Sequence, residues 1–172
     1  MKKTKILVVS DTHKMHANFE KALEREKPFD YLFHAGDVEG REFEIEYGSG
    51  CPAYIVSGNN DFYGKAPMSV EIQIGTHKVF MAHGHQFYVS MTLEHLIREA
   101  RERNADIIIF GHTHVPYLEI GRDMAVMNPG SLTYPRQEGR LPSYIILEID
   151  ENGKISGEIK YIKKNKKMKK MS

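Results

Sequence analysis

Residues 107–114 read IIIFGHTH, four apolar residues followed by a glycine and two histidines. A short, uninterrupted apolar run is typical of a strand that is buried on both faces, as in a parallel sheet. His112 and His114 follow at the carboxyl end of this strand, the edge at which open α/β sheets bind their ligands. Imidazole is the commonest protein ligand for first-row transition metals. The segment therefore predicts an α/β fold with a metal site at one sheet edge.

Four other predicted strands end in the same way. Short apolar runs at residues 6–10, 31–35, 54–57 and 78–82 are each followed by Asp, Asn or His, and these residues are Asp11, His13, Asp37, Asn59, Asn60, Asp61, His83 and His85. Each one alone has an ordinary explanation as a helix cap, a turn residue or a hydrogen-bonded structural residue. All of them together at one edge would be costly to bury without a cation.

The ligand types favour two metal ions. If seven of these ten residues are ligands, as two carboxylates, one amide oxygen and four imidazoles, they form a mixed oxygen and nitrogen set without sulfur. Such a set suits Mn²⁺, Fe, Zn²⁺, Ni²⁺ or Co²⁺. Seven ligands are too many for one tetrahedral ion. A binuclear centre that shares one carboxylate accommodates them and leaves positions for water and substrate.

The remaining pattern predicts a single α/β domain, with parallel strands early in the chain and antiparallel strands late. Helical spacing covers residues 18–26 and 93–103. Three short early strands separated by crossovers indicate parallel βαβ units. Three later strand pairs indicate antiparallel hairpins, at residues 70–74 with 78–82, 117–120 with 124–127, and 144–149 with 155–161.

Composition is that of a soluble globular protein, with 172 residues, 41% hydrophobic and 27% charged. No apolar run approaches the ~20 residues of a membrane helix, and no secretory signal is visible, so we expect a cytoplasmic protein without a membrane partner. Cys51 is the only cysteine, which excludes an internal disulfide and a thiolate metal cage.

Charge is concentrated at the C-terminus. Six lysines lie in the last ten residues, and the rest of the chain has 18 basic and 23 acidic residues, a net charge of −5. We expect residues 1–162 to form one domain and residues 163–172 to be a solvated, disordered tail. A lysine-rich tail can also bind nucleic acid or an anionic surface, but no basic, aromatic-rich face precedes it, so we do not expect a nucleic-acid partner.

The ordered polar residues resemble the calcineurin-like metallophosphoesterases, whose pattern is DxH…GD…GNH(D/E)…H…GHxH. The corresponding blocks here are Asp11-x-His13, Gly36-Asp37, Gly58-Asn59-Asn60-Asp61, His83-Gly84 and Gly111-His112-x-His114. Asn128-Pro129-Gly130-Ser131 with Pro135-Arg136, and the short length, look like the small bacterial and archaeal phosphodiesterase branch. This resemblance implies a four-layer α/β/β/α sandwich of two mixed β-sheets.

The resemblance also implies roles for individual residues. One metal would take Asp11, His13 and His114, the other Asn59, His83 and His112, and Asp37 would bridge both. Mn²⁺ is the first expectation for the two divalent ions. A bridging hydroxide would attack phosphorus in line. Asp37, Asn59, Asn60 and Asp61 are the catalytic candidates, and Asn59, Asn60, His85 and Arg136 are the candidates for substrate contact.

One position departs from the family pattern. Many monoester phosphatases of the family have His after the Asn, where this chain has Asn60. An amide can donate a hydrogen bond but cannot supply a proton at neutral pH. We therefore expect a phosphodiesterase that either uses another proton donor or prefers good leaving groups, acting on a small phosphoester.

Two alternatives belong to other functional classes. A non-catalytic interaction scaffold of the same fold would have lost metal ligands, whereas all seven positions are filled here by competent residue types. A nuclease would need a basic surface, which the acidic body lacks. The sequence leaves the physiological substrate, the native metal and homo-oligomer formation open.

Overall fold

A computed structural model describes residues 2–164, which form ten strands, three α-helices and one 3₁₀ turn. The strands are β1 (Thr4–Val9), β2 (Tyr31–His34), β3 (Ala53–Ile55), β4 (Ser69–Ile74), β5 (His77–Ala82), β6 (Ile107–Ile109), β7 (Tyr117–Ile120), β8 (Ala125–Asn128), β9 (Ser143–Ile149) and β10 (Ile155–Tyr161). The helices are α1 (Ala17–Glu26), α2 (Glu42–Ser49) and α3 (Glu94–Glu102), and the 3₁₀ turn is His85–Phe87.

The strands form two mixed sheets of five strands each. Sheet A has the order β10-β9-β1-β2-β3 and sheet B the order β4-β5-β6-β8-β7. In sheet A, β1, β2 and β3 are parallel, while β9 pairs antiparallel with both β1 and β10. In sheet B, β5, β6 and β8 are parallel, and the two outer strands are antiparallel.

Alternating side chains of the central strands pack on different layers. Ile6 and Val8 of β1 pack with Ile107 and Ile109 of β6 in the core between the sheets. The intervening residues of β1 pack beneath α1 and α2, and those of β5 and β6 pack beneath α3. Burial on both faces explains why these strands are continuous apolar runs rather than alternating ones. The layer order α/β/β/α is the one that the resemblance implies.

The fold prediction is confirmed, with two differences. The late strands are not all antiparallel, because α3 crosses over between β5 and β6 and leaves them parallel. Helix α2 was not predicted, because its apolar residues Phe43, Ile45 and Tyr47 alternate like those of a strand, and only Ile45 is buried. The three predicted hairpins are present.

Two further observations concern membrane-spanning helices and the C-terminal tail. No helix within residues 2–164 is long and apolar enough to cross a membrane. The predicted tail lies outside the described residues from residue 165 onward, so the proposed domain boundary stays a prediction.

Candidate metal centre

The predicted ligands lie together where strands of both sheets end at one edge of the sandwich. Loops after β1, β2 and β3 of sheet A carry Asp11, His13, Asp37 and Asn59, and loops after β5 and β6 of sheet B carry His83, His112 and His114. One ligand atom each from Asp11, His13, Asp37 and His114 forms a cluster in which all atoms lie within 4.8 Å of one another. The two sheets therefore contribute jointly to one polar cluster.

A buried carboxylate oxygen without a hydrogen-bond partner lies at the centre of this cluster. Asp11 is fully buried, and its Oδ2 accepts hydrogen bonds from Ser10 Oγ at 2.6 Å and from the backbone N of His112 at 3.1 Å. Its Oδ1 has no hydrogen-bond partner among the described residues. Three imidazole Nε2 atoms surround this oxygen, at 3.1 Å for His114, 3.7 Å for His13 and 3.8 Å for His83.

The hydrogen bonds of these three rings determine which nitrogen faces the cluster. His83 Nδ1 donates to the carbonyl oxygen of Ala35 at 2.6 Å, and His114 Nδ1 donates to that of Tyr134 at 2.8 Å. His13 Nδ1 donates to the Glu39 carboxylate at 2.7 Å. Because Nδ1 is the donor in each of these contacts, the neutral form of each ring presents an Nε2 lone pair to the cluster.

Lone pairs that face one another at short range need a cation between them. Nε2 of His13 and Nε2 of His114 are 3.2 Å apart, and Asp11 Oδ1 lies beside both. Protons or a metal ion can occupy this position, and a divalent ion satisfies all the lone pairs at once. The donor set therefore fits a metal.

A second group of donors adjoins the first. Asn59 Oδ1 lies 3.0 Å from His83 Nε2 and 3.0 Å from His112 Nδ1. Asp37 Oδ2 lies 3.4 Å from His83 Nε2 and 3.8 Å from His13 Nε2, so the Asp37 carboxylate stands between the two groups. Asn59 is exposed and His112 is half-buried, so this side of the cluster is open to solvent.

The cluster attracts positive charge. Burial alone would raise the pKa of Asp11, but contact with His114 and the charge of His83 outweigh it and lower this pKa. Burial alone would also raise the pKa of Asp37, but contact with His83, the charge of His83 and the hydrogen bonds that Asn60 donates lower it. The pKa of His83 is raised, because Asp37 and Asp11 favour its charged form against the effect of burial. Both carboxylates therefore stay ionised and favour a bound cation.

Five of the seven predicted ligands have a left-handed backbone, with φ between 45° and 68°, and they are Asp11, His13, Asp37, His112 and His114. This conformation costs a non-glycine residue on the order of 1–2 kcal/mol. It persists where surrounding contacts enforce it, and such positions cluster at binding and catalytic sites.

Glycines leave room for the ligand side chains themselves. A Cβ at Gly36 would lie 2.6 Å from His83 Nδ1, and one at Gly111 would lie 2.8 Å from Asp11 Oδ2. At Gly58 it would lie 2.8 Å from Asp37 Cγ and would also overlap the Asp37 carboxylate oxygen. The absence of a side chain at these glycines thus makes room for side chains of the cluster.

Asn60 and Asp61 contact Asp37 and its loop. Asn60 donates twice to Asp37, from its backbone N to Oδ1 at 2.9 Å and from Nδ2 to Oδ2 at 2.8 Å. Asp61 accepts from the backbone N of Asp37, Gly58 and Glu39, at 2.8, 2.7 and 2.6 Å. Asp61 therefore joins the loops after β2 and β3, and among the described residues it makes no hydrogen bond to an imidazole or to the Asn60 side chain.

Two residues that brace these loops had no predicted role. Asn128 at the end of β8 donates to the carbonyl oxygen of Gly111 at 2.8 Å and to Thr113 Oγ1 at 3.0 Å. Ser131 donates to the carbonyl oxygen of Asp11 at 2.8 Å. Both are fully buried. The segment Asn128-Pro129-Gly130-Ser131 was the available signal, and its function here is to fix the loops after β1 and β6.

The two remaining candidates lie beside the cluster. The His85 ring is 5.5 Å from that of His83 and 6.1 Å from that of His112. Arg136 donates its backbone N to the carbonyl oxygen of His114 at 3.0 Å, and its exposed side chain lines a separate cleft. A groove of about 870 Å³ begins at Asn60 and Asp61 and is also lined by the side chains of Tyr54, Phe62 and Tyr63.

Comparison with known proteins shows which proteins are similar to this chain in sequence and in fold. The family model described as calcineurin-like phosphoesterase superfamily domain matches residues 4–152. A probable metallophosphoesterase of Bacillus subtilis is 32% identical over 148 residues, 86% of this chain and 85% of that protein. A phosphodiesterase of Methanocaldococcus jannaschii is 31% identical, over 73% of this chain and 82% of its own length. The crystal structure of a conserved protein of Streptococcus pneumoniae, described as a predicted phosphoesterase, superposes with a TM-score of 0.77 at 29% identity and covers 94% of this chain and 99% of that one.

Proposed function

The chain belongs to the calcineurin-like phosphoesterase superfamily, and we propose that it is a metal-dependent phosphodiesterase with a binuclear centre. The observation that carries the proposal is Asp11 Oδ1, a buried oxygen without a hydrogen-bond partner among the described residues and surrounded by three imidazole Nε2 atoms. The similarity to a phosphodiesterase of M. jannaschii supports the substrate class.

Seven residues would hold the two ions. Asp11, His13 and His114 would bind one ion, and Asn59, His83 and His112 would bind the other. Asp37 would bridge them, because its carboxylate stands between the two groups of donors. Mn²⁺ is the first choice for such a set of oxygen and nitrogen ligands, with Ni²⁺, Zn²⁺, Fe and Co²⁺ as alternatives.

Bound divalent ions would supply Lewis acidity, which neutralises phosphoryl charge and makes water acidic enough to provide hydroxide near neutral pH. The protein holds the ligands ready for this task. Hydrogen bonds from Nδ1 fix three rings with Nε2 toward the cluster, and Asn60 fixes the Asp37 carboxylate. Less movement is then needed when substrate arrives.

In this proposal, the lack of a proton donor for the leaving group favours diesters over monoesters as substrates. Asn60 donates both its backbone N–H and its side-chain N–H to Asp37 and has no proton to give to a leaving alkoxide. The His85 pKa is lowered by burial and by the charge of His83, so this ring is neutral at pH 7. We therefore expect the protein to favour phosphodiesters with good leaving groups.

Hydrolysis of bis(p-nitrophenyl) phosphate by the metal-stripped full chain tests the proposal. Turnover should return when MnCl₂ is added, and elemental analysis should find two ions per chain. Asp37→Asn should lose turnover, whereas Asp123→Asn, an exposed change in the β7–β8 turn, should keep it. A folded Asp37→Asn protein with full turnover would refute the bridging role. A wild-type protein that is inactive with every metal would refute the function.

A further inference from the structure

A basic cleft adjoins the metal centre. It has a volume of about 590 Å³ and lies between α1, the segment 133–142 and the residues that follow β10. Five cationic side chains line it: Lys21, Arg136, Arg140, Lys163 and Lys164. No acidic side chain is among the described residues that line it, although residues 1–162 carry a net charge of −5.

These cations are not engaged elsewhere. Within residues 2–164, none of the five forms an ion pair, whereas Lys3, Lys5, Lys14, Lys78, Lys160, Arg41 and Arg103 all do. Five like charges around one concave surface repel one another, and an anion between them removes that repulsion. The cleft therefore favours a polyanionic group over an apolar one.

Backbone contacts connect the cleft directly to the metal ligands. Tyr134 lines the cleft, its carbonyl oxygen accepts from His114 Nδ1 at 2.8 Å, and its ring lies 5.3 Å from that of His13. Arg136 donates its backbone N to the carbonyl oxygen of His114. Thr133 also lines the cleft, and its hydroxyl donates to the carbonyl oxygen of Thr12 at 2.7 Å. Residues that line the cleft thus contact the loops that carry His13 and His114.

From this arrangement we infer that the cleft binds a second phosphate group of the substrate, so that the preferred substrates are phosphodiesters carrying an additional phosphate. The inference rests on the proposed phosphodiesterase function. Arginine presents a planar fork of donors that matches phosphate oxygens, and lysine adds a point charge. The second phosphate would hold the ester in one orientation, with the scissile group at the metals.

Two substrates that differ by one phosphate test the inference. Thymidine 5′-(p-nitrophenyl phosphate) and its 3′-phosphorylated form release the same chromophore from the same kind of bond. Exposed charge pairs change an equilibrium by about two- to fivefold each, so several together should give the 3′-phosphorylated substrate a kcat/KM about tenfold higher. Because the contacts are solvent-exposed, NaCl should reduce that preference.

Matched double variants locate the effect. Lys21→Gln with Arg140→Gln should reduce the preference to about one- to twofold, mainly through KM. Lys154→Gln with Arg122→Gln removes the same two residue types from exposed turns outside the cleft and should leave the preference intact.

Each outcome has one interpretation. If both thymidine substrates are cleaved equally by the wild type, or if the cleft variant keeps the full preference, the inference is wrong while the phosphodiesterase function stands. If neither substrate is cleaved with any metal, the proposed function itself fails.

Discussion

Replacing Asp11 by Asn should lower the stability of the protein, and by more with metal than without it. Without metal, Asp11 Oδ1 is buried beside the Nε2 atoms of three imidazoles. An amide would keep an oxygen for the N–H of His112, but it lacks the negative charge whose interactions with His114 and His83 outweigh burial and lower the pKa of Asp11. Because a carboxylate with a lowered folded-state pKa contributes stability at pH 7, Asp11→Asn should destabilise the metal-free protein.

With metal the difference should grow. An ion at 100 times its dissociation constant adds about 2.7 kcal/mol to the free energy of unfolding. A chain of this size gains about 2–4 °C in Tm per kcal/mol, so the wild type should gain about 5–11 °C for each site filled. Asp11→Asn removes a charged ligand and should lose most of that gain.

Thermal unfolding by circular dichroism, in EDTA and in MnCl₂, measures both effects. Glu26→Gln is the control, because Glu26 is a buried carboxylate remote from the cluster and paired with Lys5 and Lys160. It should lower the Tm equally in both solutions. An Asp11→Asn protein that is more stable than the wild type in EDTA, or that keeps the whole manganese shift, would refute the reasoning.

Three further changes test other parts of the structure. Glu26→Gln should lower the free energy of unfolding at pH 7 by about 3 kcal/mol, the lower end for a broken buried ion pair. Burial alone would raise the pKa of Glu26, but hydrogen bonds with Lys160, Tyr144 and Lys5 lower it. The contribution of Glu26 to the free energy of unfolding is therefore complete above the ordinary pKa of 4.5 and is lost as the pH falls through the folded-state pKa. Urea titrations that find the same loss of free energy for Glu26→Gln at pH 3 as at pH 7 would contradict this assignment. Gly58→Ala should displace Asp37 and abolish the manganese-induced rise in Tm, which Gly48→Ala in α2 should preserve; an unchanged rise in the Gly58 variant would show that Asp37 is not a ligand. Asn60→His should raise the ratio of p-nitrophenyl phosphate to bis(p-nitrophenyl) phosphate turnover by about tenfold or more, as general acid catalysis would, and an unchanged ratio would assign leaving-group protonation elsewhere.

The fold class and the clustering of the polar residues could be predicted because both depend on strand ends. Runs such as residues 107–110 are apolar on both faces, which predicts a buried strand, and the polar residues that follow must meet at the carboxyl edge. Which sheet a strand joins could not be predicted in this way. The segments around β5 and β6 look like those around β1 and β2, yet they belong to a second sheet facing the first.

Contacts made by backbone atoms could not be predicted from the sequence. The carbonyl oxygens of Ala35 and Tyr134 orient His83 and His114, and any residue type has such an oxygen. The left-handed conformations of Asp11 and Asp37 are likewise unmarked in the sequence, because surrounding contacts rather than residue type enforce them. Arg136 was a candidate for phosphate contact, and only the structure shows that its side chain lines a cleft with other cations.

Because sheet A and sheet B each carry part of the proposed ligand set, the spacing between the donors depends on how the two layers pack on each other. Ile6, Val8, Ile107 and Ile109, which fill the interlayer core, act as spacers for that distance. Repacking them with smaller or larger side chains would slide one layer against the other and alter metal affinity without touching a ligand. Packing of the core between the two sheets would therefore influence metal affinity, and variants of that core should be tested for metal content as well as for stability.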